Sequence, residues 1–176
     1  MNIRDMIEGR YLHTLEHYVS KKQDKNQRII NLGCGPCYEA ETLVDLFNGS
    51  LIGLDIDKNS INALRRKFKG RDDYKFIKGD AKDLRILVEG NFGIVVARHP
   101  DVNNDDWEKI FREGYKFTRR GGTVIVTCYL PKEPEIAKKN MEHAGYNIKV
   151  CEENVLPLIK APLPIWSDSY VIIGKK

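Results

Sequence analysis

Apolar and polar positions change period several times along the chain. Over residues 2–19, Ile3, Ile7, Tyr11, Leu15 and Tyr18 recur every three or four positions, which predicts an amphipathic helix. A polar stretch, Lys21 to Gln27, follows. Short runs rich in Val and Ile then alternate with helical patterns. Arg28–Leu32, Ser50–Asp55, Tyr74–Lys78, Phe92–Ala97, Thr123–Cys128, Tyr146–Cys151 and Ser169–Ile173 read as strands. Between the first two, Ala40, Leu43, Val44 and Phe47 fall at helical spacing, and Asn48-Gly49 closes that helix. Ile61, Leu64 and Phe68 line a second helix with Asp57 as its cap. A short helix is predicted over Ala81–Val88. Trp107, Ile110, Phe111 and Gly114 mark another, with Asn104 placed to cap it, and Glu135–Ala144 a last one ending at Gly145.

Strands alternating with helices predict an α/β fold, with a doubly wound, mostly parallel sheet of seven strands covered by helices on both faces in three layers. The last two strands have no helix between them. They must therefore pair as an antiparallel hairpin across a long connection, Glu152 to Asp168. No repeat or linker breaks the pattern, so residues 1–176 read as one domain.

Composition narrows the picture only a little. Hydrophobic residues make up 41% and charged residues 31%, as in soluble globular chains. No apolar run approaches the roughly 20 residues that span a bilayer, and residues 1–10 lack a signal-peptide core, so a cytoplasmic protein with no membrane partner is expected. Residues 58–85 carry ten Lys or Arg against four Asp, a local +6 that leaves −2 for the rest. That stretch could attract a nucleic acid. A solvated face is the plainer reading, and nucleic acid is not favoured as partner. The four cysteines, Cys34, Cys37, Cys128 and Cys151, form no zinc pattern, and no metal site is predicted. His13 and His17 share a helix face at i, i+4 but have no third ligand.

The chemistry is expected beyond the carboxyl ends of the strands, where ligands bind in this architecture. The first strand runs into Asn31-Leu32-Gly33-Cys34-Gly35-Pro36-Cys37, whose glycines permit a sharp turn and close approach of a ligand. The second strand ends in Asp55, twenty-two residues after Gly33, where a carboxylate can accept from both hydroxyls of a ribose. The third ends in Gly79-Asp80-Ala81, where Asp80 can accept from an adenine amino group. Three consecutive strand ends thus suit a nucleoside lying across the sheet edge.

These segments resemble the motifs of class I S-adenosylmethionine-dependent methyltransferases. Ile29 to Pro36 is similar to the first motif and Gly53-Leu54-Asp55-Ile56-Asp57 to the second-strand acid motif. Lys78 to Leu84 is similar to the adenine motif, and Arg119 to Val126 to the lead into the fifth strand. The helix 2–19 resembles the N-terminal helix that closes over the cofactor. The resemblance implies S-adenosylmethionine as cofactor, held by Asn31, Gly33, Cys34, Gly35, Asp55, Ile56, Asp80, Ala81 and Ala97. It further implies methyl transfer to an acceptor that the sequence does not identify, a small molecule rather than a nucleic acid. Two positions depart from the family. Asn31 stands where an acid is usual, and Cys37 where a third small residue is usual, which keeps open a regulatory module that binds the cofactor without turnover.

The fourth strand's end faces the methyl group in this family, and here it reads Ala97-Arg98-His99-Pro100-Asp101. His99 could serve as general base and Arg98 could hold an anionic acceptor, or both could only shape the pocket. Walls of that pocket are expected from the helix around Tyr11 and Tyr18, and from the connection holding Leu156, Pro157, Pro162, Pro164 and Trp166. Cys34-Gly35-Pro36-Cys37 also matches the active-site tetrapeptide of thioredoxins, a thiol–disulfide alternative. The Trp that precedes it there is Gly33 here, and the chain has too many strand–helix units. A nicotinamide dehydrogenase would want a third glycine where Tyr38 stands.

Overall fold

A computed structural model describes residues 3–19, 26–154 and 168–176, with the side chains of the first helix described from Tyr11 onward. In chain order the elements are α1 (Ile3–Tyr18), β1 (Arg28–Leu32), α2 (Ala40–Phe47), β2 (Ser50–Asp55), α3 (Lys58–Lys67), β3 (Tyr74–Lys78), a 3₁₀ turn (Ala81–Asp83), α4 (Leu84–Leu87), β4 (Phe92–Arg98), α5 (Asp106–Phe117), β5 (Thr118–Cys128), α6 (Glu133–Ala144), β6 (Asn147–Glu153) and β7 (Tyr170–Lys175).

The seven strands form one sheet in the order β3-β2-β1-β4-β5-β7-β6. β1 to β5 are parallel, as crossover helices require. β7 pairs antiparallel with β6, as the missing helix demanded, and on its other side antiparallel with β5, which places it between them. Alternation along each strand splits the core into two layers. Ile29, Leu51, Ile94, Val96, Ile125 and Ile173 pack under α1, α2 and α3 through Tyr11, Leu15, Leu43, Ile61 and Leu64. Ile30, Leu32, Leu54, Val95, Val124, Val126 and Ile172 face α5 and α6 through Ile110, Phe111, Ala137 and Met141. No helix among the described residues is long and apolar enough to cross a membrane.

Local signals worked where side chains bond to the backbone. Asp57 caps α3, accepting from the N–H groups of Asn59 and Ser60 at 3.0 Å each. Gly145 ends α6 in the left-handed region, with φ of 109°. Asn104 reaches only as far as the N–H of Asp106 (3.0 Å), one residue into α5.

Elsewhere the boundaries moved. The predicted helix 81–88 is split, because the Asp80 carboxylate accepts the Lys82 N–H and tightens the first turn into 3₁₀ form. β5 begins at Thr118, not Thr123. A bulge opposite Phe92 and Ile94 lets Thr118 stay in the sheet, and its hydroxyl bonds the Gly114 carbonyl (2.8 Å) and the Tyr146 hydroxyl (2.9 Å). α6 starts two residues early, with Pro134 in its first turn, where a missing N–H costs nothing.

Phe111 is wholly enclosed and fills the layer between α5 and the sheet. Phe111→Ala should lower stability by about 3–5 kcal/mol through lost burial and a residual cavity. The measurement is a urea titration, with the midpoint falling and the slope unchanged.

Candidate active site

At the carboxyl edge of β1, β2 and β3 the backbone is arranged around one carboxylate. Asp55 accepts the Gly35 N–H (2.7 Å) through one oxygen and the Asp57 N–H (2.7 Å) through the other. The loop after β1 is therefore tied to the end of β2, reinforced by the Cys34 N–H to the Leu54 carbonyl (3.0 Å). An ionised carboxylate offers about four lone-pair sites, so capacity remains for hydroxyl donors.

The two glycines of the loop serve different ends. Both have positive φ, 65° at Gly33 and 50° at Gly35. A Cβ on Gly33 would lie 3.3 Å from the Trp107 indole, so the close approach there is made by α5. A Cβ on Gly35 would meet nothing within 4 Å, which leaves an open cradle over the backbone.

Beside that cradle Ile56 is 69% exposed and Tyr38 46%, large apolar groups left facing out at a strand edge. Asp80 lies at the next strand end, its side chain 40% exposed, with Lys82 3.4 Å away; Lys82 is held more closely by Asp106 on α5 (2.6 Å). Ala81 is buried beneath it. The open cradle, the free acceptor capacity of Asp55 and Asp80 and the exposed Ile56 fit the nucleoside cofactor that the resemblance implies.

Around the ends of β4 and β5 the polar groups are enclosed instead. Asp168, fully buried, receives a fork from Arg98, with Nε on Oδ1 (3.0 Å) and NH2 on Oδ2 (2.9 Å). The Thr127 hydroxyl donates to Oδ1 as well (2.6 Å). The remaining Arg98 amino group meets the buried Glu39 (3.3 Å), and Tyr11 of α1 lies against the guanidinium with its ring centroid 4.4 Å away. Glu39 in turn accepts from the Asn31 Nδ2 (2.6 Å). The Asp168 carbonyl takes the Asn154 side-chain amide (2.9 Å), which also bonds Thr14 on α1 (2.6 Å). Burial alone would raise the Asp168 carboxyl, but the Arg98 and His99 side chains hold it well below the usual carboxylate range. Burial would likewise lower Arg98, yet Asp168 and Glu39 outweigh it and keep the guanidinium charged.

His99 follows the last residue of β4 with φ of 54°, in the left-handed region. Its ring stacks on Tyr129 with centroids 3.6 Å apart, and Nε2 is enclosed 2.9 Å from Asp168 Oδ1 in a bent contact.

These placements correct several sequence expectations. Arg98 does not present a free guanidinium to an anionic acceptor, because Asp168, Glu39 and Tyr11 occupy it. Asn31 and Ala97 are fully buried, so neither side chain lines the open edge; Asn31 supports Glu39. Cys34 and Cys37 are 6% and 1% exposed free thiols. The Cys34 thiol, burial and the nearby Glu39 carboxylate push Cys37 well above the usual thiol range, the opposite of an activated thiol. Glu39, Thr127, Tyr129, Asn154 and Asp168 were not anticipated. A charged Arg98 at the end of a wholly apolar strand was the one signal that a buried acid must exist. The connection carrying Leu156, Pro157, Pro162, Pro164 and Trp166 lies outside the described residues.

Comparison with known proteins identifies the family. The model of a family described as a methyltransferase domain matches residues 29–122, just over half of the chain. A sterol 24-C-methyltransferase of Debaryomyces hansenii is 29% identical over 142 residues, 77% of this chain and 37% of that protein. Phosphoethanolamine N-methyltransferase 1 of Arabidopsis thaliana is 24% identical over 142 residues, 78% of this chain and 29% of that protein. The chain thus spans well under half the length of these relatives.

Among solved structures, a chain from the complex of the Haloferax volcanii Trm112 methyltransferase activator with a methyltransferase superposes with a TM-score of 0.72. That match has 16% identity and covers 98% of this chain and 92% of that one. Aeropyrum pernix fibrillarin, solved with natively bound S-adenosyl-L-methionine, gives a TM-score of 0.71 at 21% identity over 96% of this chain and 76% of that one. At such identities the likeness shows the fold.

Two outcomes follow from the buried groups. Because the Asp168 carboxyl is depressed in the folded state, its stabilisation is complete above the unfolded value of about 3.9 and is lost as pH falls below it. Asp168→Asn should destabilise by about 3–5 kcal/mol at pH 7 and flatten the loss of Tm between pH 5 and 2, as followed by thermal melts across that range. Thiol counting with a disulfide reagent on the native protein should find Cys151 reacting first, since it alone is not buried. Rapid labelling of Cys34 would revive the redox alternative.

Proposed function

The chain belongs to the methyltransferase-domain family, and we propose that it binds S-adenosylmethionine across the carboxyl ends of β1, β2 and β3 and transfers its methyl group to a small-molecule acceptor. The observation that carries this reading is the arrangement at Asp55. One carboxylate fixes the loop after β1 and keeps acceptor capacity beside the open cradle at Gly35.

When bound, the cofactor supplies an electrophilic methyl on a sulfonium. The chain's part is to hold and orient. Gly33, Cys34 and Gly35 provide the backbone turn, and Gly35 allows close approach. Asp55 accepts the ribose hydroxyls, Asp80 accepts from the adenine amino group, and Ile56 with Ala81 offers apolar contact to the base. Positioning of this kind accounts for much of the rate of a methyl transfer. His99 takes the proton of an acceptor that arrives protonated. Arg98 acts through Asp168 and Glu39, as the cation that pairs with both acids and lies against Tyr11 of α1.

A small acceptor is favoured on two grounds. The curated relatives carry sterol and phosphoethanolamine in their names. The basic stretch 58–85 is also partly spent internally. Arg65 bonds the Phe76 carbonyl, while Lys67 pairs with Glu41, Arg71 with Asp73 and Lys82 with Asp106.

Asp55→Ala should reduce S-adenosylmethionine affinity tenfold or more in isothermal titration. A hydrogen bond to a charged acceptor is worth roughly 1.5–3 kcal/mol, and the variant also releases the Gly35 N–H. Undiminished affinity would refute the ribose assignment. Tight binding by the wild-type chain with no methylated product from cell extract would leave the non-catalytic module as the better reading.

A further inference from the structure

The acid beside His99 has no role in the reading above beyond pairing with Arg98, yet one of its oxygens lies 2.9 Å from the imidazole Nε2. We propose that Asp168 is a positioning residue for His99, fixing the proton on Nε2 and leaving Nδ1 as the nitrogen that receives a proton from the methyl acceptor. The acceptor is then a hydroxyl or a protonated amine, a nucleophile that must lose a proton to be alkylated. This class assignment rests on the methyl-transfer reading; the placement of the ring proton does not.

Four observations carry it. Nε2 is enclosed without a well-aligned hydrogen bond, and Asp168 Oδ1 lies 2.9 Å from it, within reach of a proton on that nitrogen. The contact is bent, as catalytic hydrogen bonds often are before a ligand is bound. Asp168 cannot turn away, because the Arg98 fork, the Thr127 hydroxyl and complete burial fix both oxygens.

The ring itself is held by its stack on Tyr129 and by a strained backbone, φ 54°, whose N–H bonds the Thr127 carbonyl (2.9 Å). Such strain persists where the surroundings over-determine it, and it collects at functional positions.

The fourth observation is charge. The ionised groups enclosed in this network are Arg98, Asp168 and Glu39, a net −1. Tyr11, Tyr129 and Cys37, the other titratable groups around it, are all held toward their neutral forms. Glu133 on α6, which accepts the Tyr129 and Leu130 N–H groups, adds a further negative charge nearby. The ring therefore stands beside a net negative formal charge.

The transfer balances simply. The acceptor's O–H or N–H proton passes to Nδ1, and its lone pair forms the bond to the methyl carbon. The carbon–sulfur bond breaks with its electron pair going to sulfur, which leaves the neutral thioether product.

The test is nitrogen-15 NMR of the histidine rings in the full chain, at a pH where His99 is neutral, with His99→Gln to assign its signals. The expected result is a single tautomer with a slowly exchanging, downfield proton on Nε2. In Asp168→Ala that proton should be lost and both tautomers appear. A purely structural Asp168 would change the melting temperature and leave the tautomer as it was. Should Asp168→Ala not fold, the wild-type spectrum decides alone. A proton on Nδ1, or a rapidly averaging ring, overturns the proposal. Titration with S-adenosylmethionine on the same sample separates the two readings. A fixed Nε2 proton without cofactor binding would refute the methyltransferase reading and keep the positioning role. Binding with an averaging ring would do the reverse.

Discussion

The buried fork between Arg98 and Asp168 is the interaction on which the rest of the site depends. It joins the end of β4 to the residue that leads into β7, two points seventy residues apart in sequence. Tyr11 then lays α1 over the guanidinium, and Glu39 brings in the loop between β1 and α2. One cation thus gathers four segments at the sheet edge where the chemistry is proposed. Desolvating such groups is expensive, and an apolar replacement of the same shape could be equally stable. What the charges add is geometry. A guanidinium fork donates to a carboxylate in one plane, so Asp168 has a defined orientation that an apolar contact would not impose.

The other half of the edge uses an opposite arrangement. At β1 to β3 the anchoring acid, Asp55, stays part exposed and bonds to backbone N–H groups instead of to a cation. Its carboxylate keeps acceptor capacity beyond these two bonds. That suits recognition of hydroxyl donors, for which a neutralised carboxylate would be a poorer acceptor. Asp80 lies between the two cases, with Lys82 near it but drawn off toward Asp106.

The contrast also explains how much was legible in the sequence. The alternation of Ile29 and Ile30, or of Ile94 and Val95, between two core layers follows from strand period alone, so the strands and the helices covering both faces could be anticipated, whereas the strand order and the place of β7 between β5 and β6 could not. The placement of Asp55, Asp80 and Gly35 at strand ends and turns was legible because it follows from local backbone geometry. Gly33 was found for a partly different reason, since Trp107 is what approaches it closely. Asp168, Glu39 and Thr127 were not legible. Each sits in an unremarkable local context and acquires its role from a partner far along the chain. Arg98 was singled out but given an outward task, because sequence cannot say whether a charged strand end meets solvent or a buried acid.

The position of Asn31 follows from the same network. A carboxylate there would stand against Glu39, whose oxygen is 2.6 Å from the Asn31 amide nitrogen, and the buried set of Arg98, Asp168 and Glu39 already nets −1. A second ionised acid at that distance would be strongly disfavoured unless one of the two took up a proton. The amide avoids this by donating to Glu39. The departure from the family's usual acid at position 31 is therefore coupled to Glu39, and through Glu39 to Arg98. It needs no loss of cofactor binding to explain it, because the side chain is turned inward and the open cradle at Gly35 is left to the backbone.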